Sequence, residues 1–423
     1  MNHFDYKSGR LHCEDVSLAA LAADIGTPAY VYSTATLAHH IAVFRAALAP
    51  LTPLIAFAVK ANANIAVLAT LAAHGVGADT VSAGEIKRAL RAGVPADKIV
   101  FSGVGKTRDE LAFALAERIG QINVESRAEL DMIEACAAGA GVRAPIALRV
   151  NPDVAAGGHD KISTGGAEAK FGVGVEETRA LYHRLCTHAH IAPRGLAIHI
   201  GSQIKALAPL ERAFTIMRDL VIELRAEGLP VPFVDLGGGL GAPYFNEPDP
   251  PAPSEYGALV KRVFAGVDIG FIFEPGRLIA ANAGLLLTRV IRIQERPTRR
   301  ILVLDAGMND LVRPAIYDAF HEVRPVIEPN AAAPREPVDI VGPICESGDT
   351  FARARVTAPL DAGDLVAIMT AGAYGAVMAS TYNARDLVPE ILVSGGKYEV
   401  VRRRWTVDEQ IAIERAPAWL TAL

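Results

Sequence analysis

The sequence predicts an α/β barrel, a (β/α)8 TIM barrel followed by a mostly β C-terminal domain. Eight short apolar runs alternate with helix-length segments over roughly 220 residues, and eight is the number of units that closes such a barrel. From about Arg289, short alternating strands replace that pattern. We therefore expect a barrel at residues 35–285 and a β domain at 286–423, which the N-terminal region 1–34 is expected to join through its strand-like run at 27–33.

The first strand of the predicted barrel, residues 54–59, leads directly into Lys60. Its six apolar residues include β-branched and aromatic members, which is typical of a strand buried on both faces. Burial at the strand tip would lower the pKa of the Lys60 amine and free its lone pair, making it a candidate Schiff-base nucleophile. The alternative is a lysine that extends its charged head into solvent at a strand end, and position alone leaves both open.

Almost all of the other seven predicted barrel strands also end in polar or glycine residues. They are predicted at residues 76–82, 98–103, 121–126, 145–151, 195–202, 232–238 and 270–276. Parallel strands bring their C-terminal ends to one mouth of a barrel, where barrel enzymes carry their chemistry. The residues expected there are Lys60, Ser82, Ser126, Arg149, Asn151, His199, Ser202, Gly237 to Gly239, Glu274 and Arg277. A doubly wound open sheet has the same periodicity, but eight units favour the barrel.

The C-terminal domain is predicted from alternating runs at residues 289–295, 301–307, 338–345, 351–356, 364–369 and 391–404. The pair Gly395 and Gly396 interrupts the last run and indicates a hairpin turn. Pro-rich loops are predicted at residues 248–253 and 330–337. The second half of the chain is therefore expected to be mostly β.

Composition favours a small-molecule ligand over a macromolecular one. The chain has 423 residues, 51% of them hydrophobic, and a net charge of -5 without a long run of one sign, which argues against nucleic acid or membrane partners. The four cysteines lack CxxC spacing, so we expect neither a metal site nor disulfides. The N-terminus has no apolar signal-like run and no apolar stretch is long enough for a membrane span, so a cytoplasmic protein is expected.

Two glycine motifs resemble nucleotide sites but do not fit them. Gly105-Lys106-Thr107 lacks the first glycine of a P-loop, and the glycine-rich run at 237–242 is followed at once by Pro243. What remains is a glycine turn after strand seven and the turn Pro275-Gly276 after strand eight. Barrels bind phosphate there through backbone N–H groups, although an ordinary tight turn explains the glycines equally well.

Seven ordered motifs carry a resemblance that covers nearly the whole chain. They are FAVKAN around Lys60, HIGSQ at 199–203, DLGGGLG at 235–241, EPGR at 274–277, RPAIYDAFH at 313–321, GPICESGD at 342–349 and AGAYG at 371–375. In this order they resemble the alanine-racemase-fold, or fold type III, decarboxylases that depend on pyridoxal 5'-phosphate. Within that family the chain resembles the diaminopimelate decarboxylases. The resemblance implies a cofactor-binding barrel, a β domain and a homodimer with shared active sites.

The resemblance also implies which residues bind the cofactor. Lys60 would hold it as a Schiff base, and Glu274 would lie beside the pyridine nitrogen and keep it protonated. His199 would stack on the ring. Ordinary alternatives are a core histidine and a Glu274–Arg277 ion pair. The implied cofactor-binding residues are Lys60, His199, Ser202, Gly237, Gly238, Gly239, Glu274, Pro275, Gly276, Arg277 and Tyr374.

A substrate with two amino-acid ends needs cations for its carboxylates and an anion for its distal amine. The implied substrate-binding residues are Arg277, Arg313, Tyr317, Glu346 and Tyr374. Cys345 would return a proton to the substrate carbanion, since the neighbouring Glu346 carboxylate raises the pKa of a thiol. The ordinary alternatives are surface charges at Arg313 and Glu346 and a buried structural cysteine.

The predicted function is decarboxylation of meso-2,6-diaminopimelate to L-lysine and CO2 in lysine biosynthesis. Another decarboxylase of the family, acting on ornithine, arginine or carboxynorspermidine, is the alternative. The first two substrates carry only cations at their far ends and have less use for Arg313. A noncatalytic pyridoxal phosphate carrier is a third possibility, which the β domain with Cys345 and Tyr374 disfavours.

Overall fold

The computed structural model of the protein describes residues 2–157, 164–166, 169–246 and 248–420. The chain divides into two units. The barrel unit is Thr36–Ala281, and the β unit combines Met1–Ala35 with Asn282–Leu423.

Short elements of the β unit precede the barrel. They are β1 (Phe4–Lys7), β2 (Arg10–Cys13), β3 (Val16–Ser17), α1 (Leu18–Ile25) and β4 (Ala29–Ser33). Strands β1 to β3 form a small antiparallel sheet that the sequence analysis did not predict. Two to four residues per strand are too few for a period-two pattern to stand out.

Eight parallel strands close into a barrel. They are β5 (Leu54–Ala58), β6 (Gly77–Thr80), β7 (Ile99–Phe101), β8 (Gln121–Val124), β9 (Ala144–Asn151), β11 (Ile191–Ile198), β12 (Phe233–Asp235) and β13 (Gly270–Phe273). Strand β13 pairs with β5 and β8 pairs with β9, so the ring has no open edge. A two-residue strand, β10 (Val173–Gly174), adds to β9. Closure confirms the predicted (β/α)8 barrel and excludes the doubly wound sheet.

Helices connect the barrel strands. They are α2 (Thr34–Leu48), α3 (Ile65–Ala73), α4 (Ala83–Arg91), α5 (Arg108–Ala116), α6 (Arg127–Ala140), α7 (Val175–Thr187), α8 (Leu207–Ala226), α9 (Pro253–Val263) and α10 (Arg277–Ala280). In α8 the buried Leu210, Phe214, Met217, Val221 and Leu224 recur every three or four residues. That spacing keeps them on one face, and burying each such apolar side chain contributes roughly 1.5–3 kcal/mol.

Strand β11 begins and ends earlier than predicted. It spans Ile191–Ile198 rather than residues 195–202, with a register shift between Pro193 and Gly195. Gly195 has φ +132°, and a Cβ there would lie 1.9 Å from the Phe233 carbonyl oxygen, so the bulge needs glycine. Because the strand ends at Ile198, His199 lies in the loop that follows it.

The β unit contains the remaining strands and two short helices. They are β14 (Gly284–Arg296), β15 (Arg299–Leu304), α11 (Arg313–Tyr317), β16 (Val323–Pro325), β17 (Glu336–Val341), β18 (Thr350–Thr357), β19 (Leu365–Ile368), β20 (Glu390–Ser394), β21 (Lys397–Arg402) and α12 (Val407–Ile411). The main sheet has the order β18-β17-β15-β14-β4-β20-β21. As predicted, β20 and β21 form a hairpin around Gly395 and Gly396. Among the described helices, none is long and apolar enough to cross a membrane.

Candidate active site

Lys60 lies at the C-terminal end of β5, where the strand passes into a short 3-10 turn, Val59–Ala61. Its Nζ donates to Asp79 Oδ2 at 3.1 Å, and the side chains of Lys60 and Asp79 are 36% and 0% exposed. Asp79 Oδ1 is buried and lacks a hydrogen-bond partner within the described part of the chain. The Lys60 amine is therefore held against a buried carboxylate, which disfavours the alternative of a lysine extended into solvent.

Two further carboxyl groups, those of Asp235 and Glu274, are buried where β12 and β13 end. Burial, as the largest cause, raises the pKa of Asp235 to about 6 and that of Glu274 well above its ordinary value. The charges of Asp235 and Asp79 raise the Glu274 pKa further. The side chains of Glu274 and Asp235 also hydrogen-bond to each other. The proton of this pair therefore lies preferentially on Glu274, which donates it in the hydrogen bond to Asp235.

Side-chain amides from β8 surround these carboxyl groups. Gln121 Nε2 donates to Asp235 Oδ2 at 3.1 Å, and Asn123 Nδ2 lies 3.4 Å from the same oxygen. The backbone N–H of Gly237 donates to Asp235 Oδ1 at 2.9 Å. These donors stabilise the ionised form of Asp235 in a buried position, where an unpaired charge would be costly.

His199 is neutral in this arrangement. Its Nδ1 accepts a hydrogen bond from the Gly238 N–H at 3.2 Å, which assigns the ring proton to Nε2. Burial lowers its pKa well below the ordinary value, and the positive charges of Lys60 and Arg149 lower it further. The guanidinium of Arg149 pairs with Glu125 Oε1 at 2.8 Å and approaches the His199 carbonyl oxygen at 3.4 Å. The histidine is thus fixed from both its ring and its backbone.

The glycine turn after β12 packs tightly against neighbouring backbone. A Cβ on Gly237 would lie 2.2 Å from the Ile198 carbonyl oxygen, and one on Gly238 would lie 2.2 Å from that of Glu274. A Cβ on Gly239 would lie 2.5 Å from the carbonyl oxygen of Gly201. Gly237 and Gly239 also have φ of +64° and +105°, where glycine is strongly favoured. Side chains at these positions would push the turn outward, away from the strand ends beneath it.

Arg277 lies beside this turn, at the start of α10. Its Nη1 donates to the Tyr244 hydroxyl at 2.8 Å, and its Nε and Nη2 lie 3.3 and 3.2 Å from Ser202 Oγ. Only 7% of Arg277 is exposed. A buried guanidinium next to a hydroxyl and a glycine turn is suited to binding an anionic oxygen group.

In the β unit, Cys345 and Glu346 lie in the exposed loop between β17 and β18. The carboxylate of Asp349 accepts from the Ile344 and Met308 N–H groups, both at 2.6 Å, and so fixes the base of the loop. The Cys345 N–H donates to Asn383 Oδ1 at 2.9 Å. Because Cys345 is exposed, the alternative of a buried structural cysteine is wrong.

Arg313 begins α11 and is only 6% exposed. Its Nη1 donates to His321 Nε2 at 2.9 Å, while His321 Nδ1 donates to the Met369 carbonyl oxygen at 2.8 Å. Arg313 is therefore not a surface charge. Tyr317 ends the same helix, and Tyr374 has a left-handed φ of +56°, a strained conformation that is concentrated at functional sites.

Residues 34–281 match the family model described as "Pyridoxal-dependent decarboxylase, pyridoxal binding domain". The chain belongs to the pyridoxal-dependent decarboxylases. It is 48% identical to a diaminopimelate decarboxylase of Zymomonas mobilis over 99% of both chains, and 46% identical to that of Pseudomonas aeruginosa over 98% of this chain and 99% of the relative. The crystal structure of the M. jannaschii diaminopimelate decarboxylase with L-lysine superimposes with a TM-score of 0.94 at 35% identity, covering 99% of this chain and 100% of that one.

The barrel residues fit the cofactor of a pyridoxal-dependent decarboxylase. The Lys60 amine suits the aldehyde of the cofactor, and the buried Glu274 carboxyl, whose pKa is raised, suits the pyridine nitrogen. The neutral His199 ring suits the face of the cofactor ring. The glycine turn lies where a Cβ would collide with neighbouring backbone carbonyl oxygens, so only glycine lets the backbone take this path. These are the residues that would hold pyridoxal phosphate, and their individual roles remain predictions.

The structure groups the predicted site residues by unit. The barrel unit contains those that follow its strands: Lys60, His199, Ser202, Gly237 to Gly239, Glu274 to Gly276, and Arg277 at the start of α10. The β unit contains Arg313, Tyr317, Cys345, Glu346 and Tyr374. Ser82 and Ser126 follow β6 and β8, but each caps a helix by accepting a backbone N–H, of Glu85 and Glu129 respectively. Their place at strand ends reflects helix initiation.

Sequence analysis missed the buried polar residues Asp79, Gln121, Asn123 and Asp235. Asp79 and Asn123 lie within strands that were predicted as apolar runs, and a polar residue inside a buried strand was the available signal. Asp235 was quoted only as part of a motif. Each pairs with a residue distant in sequence, which periodicity does not reveal.

The raised pKa of Glu85, which lies near Lys60 and Asp79, should make the stability of the protein depend on pH. Burial, as the largest cause, raises its pKa to about 7, while its Oε2 accepts the Val81 N–H. The pKa of Glu85 in the unfolded chain is about 4.3. At pH values between about 4.3 and about 7, the folded state therefore keeps a proton on Glu85 that the unfolded state has lost. The stabilisation is therefore complete below the unfolded pKa and is lost as pH rises through about 7.

Glu85→Gln keeps the acceptor for Val81 and never ionises. The Tm difference between Glu85→Gln and the parent should increase in favour of the variant as the pH goes from 4.5 to 8. The expected size is about 2–4 °C for each 1 kcal/mol of stability that the variant retains and the parent loses, and calorimetry measures it. Glu110→Gln is the control of opposite sign, because hydrogen bonds from the Ala83 and Thr107 N–H groups lower the Glu110 pKa. A pH-independent difference for Glu85→Gln would contradict the prediction.

Proposed function

We propose that the protein is a pyridoxal 5'-phosphate-dependent carboxy-lyase that converts meso-2,6-diaminopimelate to L-lysine and CO2 in lysine biosynthesis. The observation that carries the proposal is the Lys60 amine, held against buried Asp79 at the end of β5 in a barrel whose glycine turn packs beside Arg277. The choice of diaminopimelate rests on relatives of that name, similar over nearly the whole chain.

The cofactor, when bound, supplies the electron sink for the bond that loses CO2. Lys60 would provide the amine for its covalent attachment, and Asp79 would orient that amine. Glu274, whose pKa is raised by burial, would offer a proton to the pyridine nitrogen, and Asp235 would stabilise positive charge at that nitrogen. Neutral His199 offers an uncharged ring face. Ser202, Arg277 and the turns at Gly237 to Gly239, Pro275 and Gly276 offer donors for the phosphate, joined by Tyr374.

The substrate has an amino-acid group at each end, and the charged residues of the proposal match that pattern. Arg277, Arg313 and Tyr317 would bind carboxylates, Glu346 the distal ammonium, and Tyr374 would contact the substrate as well. The thiol of Cys345 would donate the proton that replaces the lost carboxylate, and its exposure is compatible with that role.

The test is CO2 release from labelled substrates by the purified protein with pyridoxal phosphate. We expect release from meso-diaminopimelate and not from ornithine, arginine or carboxynorspermidine. Release from one of the latter instead would support the alternative function, and no release from any would support a noncatalytic carrier.

Arg313→Ala tests the choice of substrate. Loss of a charge-assisted contact worth about 1.5–3 kcal/mol should lower kcat/KM for diaminopimelate by about 10- to 150-fold. Cofactor affinity should be unchanged, and a Tm measurement monitors the effect on His321, the Arg313 partner. Arg353→Ala, on the exposed side of β18, is the matched control. Equal kcat/KM for Arg313→Ala and the parent would refute the assignment.

We further propose a homodimer with shared active sites, each combining Lys60 of one chain with the partner's Cys345 and the partner's Glu346. The support is the resemblance, together with the location of Lys60 and Cys345 in different units. A two-fold dimer makes two such sites by symmetry. We also propose a cytoplasmic location, since all four cysteines are free thiols.

Subunit mixing tests the shared site. Lys60→Ala and Cys345→Ala chains, each inactive alone, should recover about 25% of parental activity after exchange, because half of the dimers are mixed and each has one intact site. Exchange is verified with differently tagged chains. Complete exchange without recovered activity would show that each site lies within one chain.

A further inference from the structure

A short turn in the β unit runs beside the loop that carries Cys345. The 3-10 turn Tyr382–Ala384 contains Asn383 with left-handed φ +58° and ψ +29°, a conformation that asparagine adopts more readily than most residues. The Asn383 Oδ1 atom accepts the Cys345 N–H at 2.9 Å. The side chain of one loop thus fixes the backbone position of the cysteine on another.

The adjacent residue of the turn contacts the adjacent residue of the loop. The Tyr382 side chain hydrogen-bonds to the Glu346 carboxylate, which raises the pKa of Tyr382 as the largest cause. This hydrogen bond gives the carboxylate of the exposed Glu346 a defined partner and direction.

We propose that Asn383 and Tyr382 are positioning residues, Asn383 for the thiol of Cys345 and Tyr382 for the carboxylate of Glu346. The inference rests on the proposed function, in which Cys345 donates a proton and Glu346 binds the distal ammonium. Neither positioning residue needs to touch the substrate. Asn383 sets where the proton donor lies, and Tyr382 sets which way the ammonium ligand points.

The base of the loop does not depend on these two contacts. Asp349 fixes it through the N–H groups of Ile344 and Met308, and the backbone N–H of Gly342 donates to the Asp349 carbonyl oxygen at 3.1 Å. Removal of the Asn383 or Tyr382 side-chain contact should therefore leave the loop folded. The two substitutions should act on different kinetic constants, because one affects proton donation and the other affects binding.

The experiment uses the full chain saturated with pyridoxal phosphate and diaminopimelate as substrate. Asn383→Gly keeps the left-handed backbone but removes the acceptor, and should lower kcat about fivefold with KM within about twofold. Asn383→Asp keeps an acceptor and should recover most of the loss. Tyr382→Phe should raise KM about five- to tenfold with kcat within about twofold. Tyr398→Phe, which removes another exposed tyrosine–carboxylate contact, to Asp24, is the matched control.

Hydrogen exchange supplies a measurement that does not depend on turnover. The Cys345 amide should exchange faster in Asn383→Gly than in the parent, because its acceptor is gone. An active parent whose variants keep parental kcat, KM and amide exchange would overturn this inference alone. Equal rises in KM from Tyr382→Phe and Tyr398→Phe would also overturn it. A parent without activity on diaminopimelate would overturn the proposed function and this inference with it.

Discussion

Lys60→Ala should reduce turnover to background and remove the covalent cofactor adduct that we expect borohydride to trap in the parent. The lysine is the barrel amine that pairs with the buried Asp79, at 3.1 Å. Alanine has no group that can bond to an aldehyde, so both catalysis and covalent attachment should be lost together. Peptide mapping after borohydride treatment should locate the label on the peptide that contains Lys60.

Two further variants make this result specific. Lys60→Ala leaves Asp79 buried without its cation, which is destabilising by itself. Lys60→Arg keeps a cation for Asp79 but stays protonated and cannot form a Schiff base, so it should be as inactive as alanine while retaining parental Tm. Lys87→Ala, on the exposed face of α4, should behave as the parent. A label recovered on any other lysine would refute the central assignment.

Gly238→Ala should disrupt the glycine turn and weaken cofactor binding at least tenfold. Its Cβ would lie 2.2 Å from the Glu274 carbonyl oxygen, far inside van der Waals contact, and the obstacle is backbone that cannot rotate away. The turn must therefore move outward. That movement would also break the Gly238 N–H bond to His199 Nδ1, now 3.2 Å long. A displacement costing about 1.4 kcal/mol is a tenfold loss of affinity.

Titration of the apoprotein with pyridoxal phosphate, followed by absorbance, measures this effect. Gly105→Ala is the matched control in the same unit, because a Cβ at Gly105 meets no atom within 4 Å. We expect parental affinity for Gly105→Ala and reduced affinity and turnover for Gly238→Ala. Parental affinity in Gly238→Ala would show that the turn is an ordinary connection between β12 and the following segment.

The sequence by itself determined the alternation of eight strands with helices and the change to a mostly β pattern near residue 285. Both depend on local features, such as apolar runs, turn residues and the spacing between them. The same is true of Lys60 at a strand end and of the glycine turn after the seventh strand. Short strands such as β1 to β3 and β16 escaped prediction because two to four residues give too little pattern.

Only the tertiary structure decided which polar groups meet. Lys60 pairs with Asp79, and Glu274 hydrogen-bonds to Asp235. The Cys345 N–H donates a hydrogen bond to Asn383, which lies 38 positions further along the chain. Barrel closure and loop packing create these contacts between residues that are far apart in sequence. The protonation of Glu274 also depends on burial and on neighbouring charges, which are properties of the folded chain. A linear pattern can therefore predict where a candidate lysine lies, but the environment that orients it exists only after folding.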